Sequence, residues 1–136
     1  MQTSFFTRLA ALAALASVVV AIPSDCTRKI TIKPGDTCAT ISAQHKVSTY
    51  QLMKVNTGII NTACDLHLGE EICLGIKDKD CVDTHVVKAH EDCTEIAKAA
   101  GIPLSTLYAN NPNVKKHCSN LYAKEVLCTS KHIYSY

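Results

Sequence analysis

The chain of 136 residues has no tryptophan, and its two phenylalanines, Phe5 and Phe6, lie in the first ten positions; five tyrosines are the remaining aromatics. A nucleic-acid surface interleaves aromatic rings with a basic stripe, whereas here the lysines are scattered, so no nucleic-acid partner is implied. Charge of one sign is lacking as well. With Arg8 set aside in an N-terminal leader, the 14 basic residues become 13 against 12 acidic ones, a balance that points to no polyanion. The longest apolar run, beginning at Leu9, covers about 13 residues where a bilayer span needs about 20. No C-x-x-C or H-x-x-x-H spacing occurs, which leaves no close ligand pair for zinc and no metal or other cofactor to expect. N-glycosylation sequons are missing too, because Asn56-Thr57-Gly58, Asn61-Thr62-Ala63 and Asn120-Leu121-Tyr122 all fail the pattern.

Catalysis is excluded on similar grounds. A glycosidase uses two carboxylates flanking the bond, and the candidates Asp36 and Asp65, or Glu91, Asp92 and Glu95, fall in turn, cap or surface positions of units too small to enclose a substrate. The histidines His45, His67, His85, His90, His117 and His132 have no matched partner in the repeat described below. No catalytic residue is assigned.

What the chain does have begins with a leader. Arg8 precedes the apolar run from Leu9 to Val20, and Val19 and Ala21 satisfy the small-residue rule for cleavage before Ile22. Residues 1–21 read as a secretory signal peptide, after whose removal no membrane association is expected. In a short exported chain, an even number of cysteines implies disulfides.

Eight cysteines form two sets, Cys26/Cys38/Cys64/Cys73 and Cys81/Cys93/Cys118/Cys128, the second repeating the first about 55 residues later. The same shift pairs Lys33 with Lys88, Ile41 with Ile96, Leu52 with Leu107, Asn56 with Asn111 and Leu66 with Leu121. Residues 26–74 and 81–129 are thus two copies of one unit, joined by a polar linker over 75–80 and followed by a tail over 130–136 that reads as a mobile end. A core of this size contributes only ~3–5 kcal/mol, so staples of roughly 2–4 kcal/mol each decide whether it folds. Four cysteines permit three pairings. Antiparallel terminal strands would bring Cys26 to Cys73 and leave Cys38 for Cys64; an interleaved pairing of Cys26 with Cys64 and Cys38 with Cys73 stays open.

The fold class expected is α+β: two tandem βααβ units, each with a two-stranded antiparallel sheet and two disulfides. Lys29–Lys33 alternates polar and apolar as a half-buried strand does, and Pro34-Gly35-Asp36 ends it in a turn. Thr37 caps a first helix that runs to about His45-Lys46, with Cys38 and Ile41 inward. In the second copy the cap is Asp92, with Glu95 three residues on and Gly101 as the stop. A shorter helix covers about Ser48–Val55, and its counterpart opens with Pro103 in the first turn. Turn-rich loops, Asn56-Thr57-Gly58 and Asn110-Asn111-Pro112-Asn113, then lead to final strands at Glu70–Leu74 and Glu125–Thr129.

Lys33-Pro34-Gly35-Asp36-Thr37-Cys38, then Ile41, Leu52, Asn56 and Leu66-x-Leu68-Gly69-Glu70-x-Ile72-Cys73, resembles the LysM domain, the strand-helix-helix-strand module that binds N-acetylglucosamine polymers. The second copy resembles it through Asp92-Cys93, Ile96, Leu107, Asn111-Pro112 and Leu121 followed by Leu127-Cys128. Paired cysteine-rich copies behind a signal peptide are similar to the secreted fungal LysM effectors. Two departures stand out: Ala89-His90-Glu91-Asp92 replaces the Pro-Gly-Asp-Thr turn, and Thr57 stands where the family usually has proline.

The resemblance implies that sugar lies in a shallow groove between the first strand-helix loop and the loop after the second helix. In the first copy those loops are Gly35, Asp36, Thr37 with Asn56, Thr57, Gly58, Ile59 and Ile60. In the second they are His90, Glu91, Asp92 with Asn111, Pro112, Asn113 and Val114. An N-acetyl group offers an amide for backbone hydrogen bonds and a methyl for a small apolar contact such as Ile59, Ile60 or Val114; without tryptophan, backbone recognition is the expected mode. The implied partners are chitin and chitin oligosaccharides, with ligand-bridged self-association as a consequence of two linked sites, and the implied location is extracellular, at the fungal wall or in host tissue. The implied role is to withhold chitin fragments from host receptors or to shield the wall from chitinases. A disulfide-rich protein-interaction module, such as an inhibitor or toxin, and a peptidoglycan binder are the alternatives.

Overall fold

The computed structural model describes residues 10–14 and 20–136. The signal peptide read over residues 1–21 lies outside the described residues except for residues 10–14, 20 and 21. Among the described residues no helix is long and apolar enough to cross a membrane.

The first unit runs β1 (Cys26–Thr31), α1 (Cys38–His45), α2 (Thr49–Val55), β2 (Glu71–Ile76). The second runs β3 (Thr84–Val86), α3 (Cys93–Ala100), α4 (Leu104–Asn110), a single 3-10 turn at Lys116–Cys118, and β4 (Val126–Cys128). β1 pairs antiparallel with β2 and β3 with β4, so the chain is α+β, with two βααβ units each built on a two-stranded sheet. β1 starts three residues before the expected alternation and ends at Thr31 rather than Lys33, with register irregularities between Cys26 and Lys29. β2 extends through Gly75 and Ile76 into the segment read as linker.

Each sheet and its two helices enclose a separate core. Ile32, Ile41, Val47, Leu52 and Ile72 fill the first; Val87, Ile96, Ile102, Leu107 and Leu127 fill the second. The helix starts follow from local chemistry: Thr37 Oγ1 accepts the Thr40 N–H while Thr40 Oγ1 accepts the Thr37 N–H, and Asp92 and Glu95 make the same reciprocal pair. α2 is capped by Ser48, whose hydroxyl accepts from Gln51 N. Pro103 departs from expectation: its extended backbone, ψ 148°, makes it the cap residue of α4 rather than part of its first turn.

The disulfides join Cys26 to Cys73, Cys38 to Cys64, Cys81 to Cys128 and Cys93 to Cys118. The nested pairing is therefore the one formed in both copies, and the interleaved alternative is not. By loop length, each bridge removes roughly 3–4 kcal/mol of unfolded-chain entropy.

The two units dock on one another. Val126 N of β4 donates to Thr49 Oγ1 at the start of α2, 3.0 Å away. Asp80 in the linker takes a two-pronged ion pair from Arg28, 2.7 Å on each arm, a planar fork-to-fork arrangement. Gln51, fully buried, donates to Leu74 O and Asp80 Oδ1 and accepts from Cys81 N. The tail is not a free end: Asn110 Nδ2 donates to the carbonyls of Ser130 and His132, and Asn110 Oδ1 accepts from Tyr134 N.

Candidate functional site

In the first unit, the turn after β1 is closed by a carboxylate. Asp36 Oδ2 accepts the Lys33 N–H at 2.8 Å, and Gly35 takes the left-handed backbone, φ 88°, that the turn requires. The second unit builds the same turn from different residues: Glu91 Oε2 accepts the Lys88 N–H at 2.8 Å, and His90 adopts φ 67° at the position of Gly35. Glu91 also bonds His85 Nε2 at 2.8 Å. Those two hydrogen bonds, His85 first, hold the Glu91 carboxyl below its ordinary range. Losing the glycine has therefore not lost the turn.

Cys38 and Cys93, each directly after its turn, carry the disulfides to Cys64 and Cys118. With Cα atoms 6.1 Å and 5.8 Å apart, these bridges tie the first loop of each unit to the loop after its second helix. In the first unit the two predicted walls border different cavities, Asp36 one and Thr57, Gly58 and Ile60 another.

The predicted residues do not all face outward. Gly35, Thr37, Thr57, Gly58, His90, Asp92 and Pro112 are exposed, while Asp36, Ile59, Glu91 and Asn113 are half-buried. Asn56 is fully enclosed; its Nδ2 donates to Leu52 O and Cys73 O and its Oδ1 accepts from Cys73 N. Asn111 repeats this with Leu107 O, Cys128 O and Cys128 N. Both side chains are struts between the second helix and the last strand, which corrects their reading as ligand contacts. Ile60 and Val114 are 5% and 7% exposed and belong to the cores, so of the three apolar candidates Ile59 is the one with surface. Asn113 Nδ2 donates to Glu125 Oε1 at 2.7 Å, and Asn120 Nδ2 donates to Asn113 O at 2.8 Å; its side chain too is turned inward.

Residues outside the prediction border the same loops. Tyr50, Met53 and Lys54 line a cavity of about 410 Å³ together with Thr57, Gly58 and Ile60. Their i, i+3, i+4 spacing on α2, leading straight into the loop, was the available signal. Asp36 lines a separate cavity of about 390 Å³ with Ile30, Thr31, Gln44 and His45. Among the described residues no three His, Cys, Asp or Glu side chains are grouped as a metal site would need.

Comparison with known proteins agrees with this architecture. The LysM domain family model matches residues 30–75 and 85–130. A non-secreted LysM effector of Gibberella moniliformis is 29% identical over 90% of this chain and 16% of its own length. A secreted LysM effector of Penicillium expansum is 28% identical over 76% of this chain and 32% of its own. A secreted LysM effector of Pochonia chlamydosporia is 31% identical over 77% of this chain and 15% of its own, so the chain spans a third or less of the length of these relatives. A spore cortex-lytic enzyme of Bacillus megaterium matches 79% of this chain and 22% of its own at 18% identity, with a TM-score of 0.37. With both repeats matched by the family model, the chain belongs to the LysM domain family and carries two copies in tandem.

Proposed function

We propose that the chain is a non-catalytic lectin that binds chitin and N-acetylglucosamine oligosaccharides through the loop pair of each unit. The observation that supports it best is the duplicated clamp: Cys38–Cys64 and Cys93–Cys118 tie the region of the first turn to the segment after the second helix in both copies, the two segments between which the LysM resemblance puts the sugar. The contacts fall to exposed backbone at Gly35, Thr37, Thr57 and Gly58 and at His90, Asp92 and Pro112, with Ile59 offering surface to an acetyl methyl. Asp36 and Glu91 hold the turns, and Asn56 and Asn111 hold the second loops from beneath.

Two weak sites on one short chain gain avidity on a polymer, by ~10²–10⁴ where the geometry allows. One oligosaccharide can also bridge two molecules, which makes ligand-dependent self-association part of the proposal. As an exported effector, the protein would withhold chitin fragments from host receptors or coat the fungal wall against chitinases; of the relatives above, two are named secreted effectors and one non-secreted.

The test is isothermal titration of residues 22–136, oxidised, with chitin hexamer and with a cellulose hexamer as control. Heat with chitin alone establishes acetamide-dependent binding, and its stoichiometry tells whether both units act. A folded protein that gives no heat with chitin refutes the reading.

A further inference from the structure

The C-terminal tail belongs to the second unit by sequence but ends against the first. Asn110, 2% exposed at the end of α4, grips it through the three bonds to Ser130, His132 and Tyr134. The chain then crosses the junction and places Tyr136 on α2 of the other unit. There the Tyr136 hydroxyl sits within hydrogen-bond reach of Gln51 Oε1, and 2.9 Å from Lys79 O. Its ring meets Tyr50 edge-on with centroids 6.1 Å apart, a favoured aromatic geometry.

These contacts adjoin the candidate loop of the first unit. Tyr50 walls the cavity that Thr57, Gly58 and Ile60 also line. Tyr136 itself lies beside Thr57 and Ile59 in the lining of a second cavity, which Ala21 of the leader also borders. The Tyr136 phenol is a hydrogen-bond donor at physiological pH, as any tyrosine is, and burial drives it further above its ordinary range. Tyr136 also shares Gln51 Oε1 with Cys81 N, linking tail, linker and α2 through one buried amide. A half-buried aromatic ring packed on the other unit has no evident role in the second unit's own fold.

We propose that residues 130–136 form a latch, anchored in the second unit by Asn110 and closed on the first by Tyr136, that positions Tyr50 and the 57–60 loop of the first unit's site. Tyr136 is a positioning residue: it acts through Tyr50 and Gln51. The functional half of this proposal rests on the lectin reading above; the conformational half does not.

The experiment compares the 22–136 protein with its Tyr136→Ala and Tyr136→Phe variants by NMR. Chitin trimer is titrated while the amides of Thr57–Ile60 and of Asn113–Val114 are followed separately, and amide hydrogen exchange is measured at Cys81. With Tyr136→Ala, the first unit is expected to lose about tenfold in affinity, as a preorganised wall is loosened, while the second unit changes by less than twofold. Tyr136→Phe, which keeps the ring against Tyr50, should recover most of that loss. Cys81 exchange should accelerate at least about tenfold in the Ala variant, as expected for opening of a local unit.

Equal affinity changes in the two units, or none in the first, would overturn the positioning role. So would an intact protein in which trimer shifts the second unit's amides alone, although the lectin reading would survive that result. If trimer shifts neither unit, the lectin reading and the positioning role both fail, and Cys81 exchange still judges the latch. Unchanged Cys81 exchange in Tyr136→Ala refutes it.

Discussion

Asn56 and Asn111 each commit a whole side-chain amide to three backbone bonds, at the same place in the two copies. Removing either amide leaves a buried strand N–H, at Cys73 or Cys128, without its acceptor, and such orphans are costly. Asn56→Ala and Asn111→Ala should each lower stability by about 3 kcal/mol, measured by denaturant unfolding of the oxidised protein; a loss under ~1 kcal/mol would mean that the strut is dispensable. The repeat made both asparagines visible in the sequence, but a turn-rich context suggested ligand contact, since nothing in Asn-Thr-Gly tells an inward rotamer from an outward one. Glu125 is a different kind of buried residue. It is 2% exposed, its carboxyl is raised by burial against weaker opposing hydrogen bonds from Tyr122 N and Asn113, and Asn113 Oδ1 is buried with no partner among the described residues. An acid whose folded value is raised weakens the fold once it ionises, so stability should rise as pH falls from above that folded value toward the unfolded carboxylate value. Glu91, held low, acts in the opposite sense: its contribution is present above the unfolded carboxylate value and lost as pH falls through the folded one. Glu125→Gln removes the buried charge and offers an amide hydrogen to Asn113 Oδ1. It should therefore raise stability at pH 7 by about 1 kcal/mol, and thermal melts across pH should show the gain on acidification flattened.

At the scale of elements, the two copies share left-handed backbone positions more faithfully than they share glycine. Gly35 (φ 88°) corresponds to His90 (φ 67°), Gly101 (φ 66°) to Lys46 (φ 51°), and Gly69 (φ 80°) to Lys124 (φ 74°). In each pair one copy meets the turn with glycine and the other with a side chain that disfavours this backbone. The turn geometry is therefore set by the strand and helix it joins, and the residue adapts. Helix starts were legible because Thr37, Asp92 and Glu95 cap by side-chain chemistry that the sequence names. The turn at His90 was not, since its missing glycine hides a backbone that the Lys88–Glu91 bond still enforces. His90→Gly and Lys46→Gly should each stabilise by about 1 kcal/mol, seen as a higher melting temperature. The exposed positions of both residues leave no packing loss to offset the gain. A lowered melting temperature in either variant would show that the side chain contributes more than its backbone costs.

At the scale of the whole molecule, the repeat is blind to what joins its copies. Arg28, Gln51 and Asp80 meet at the junction, yet the same shift finds Asp83, Thr106 and Ser135, so no internal comparison could have picked them out. The linker read as 75–80 is partly strand and partly this ion-pair hub, and its shortness in sequence understated how tightly it is held. Gly75 shows how little room there is. A Cβ at that position would lie 2.2 Å from the Asp80 carboxyl carbon, and Asp80 is fixed there by Arg28 and Gln51 rather than free to swing aside. Gly75→Ala should therefore push Asp80 off both partners, at a cost of about 2 kcal/mol by overpacking, without touching either core or any disulfide. The expected signature is a lower melting temperature together with faster tryptic cleavage after Lys77 or Lys79, both exposed, once the linker no longer folds back onto β2. Cleavage at the original rate, in a variant of unchanged stability, would mean that Asp80 has another place to go and that the units are held together by β4 on α2 and by the tail alone.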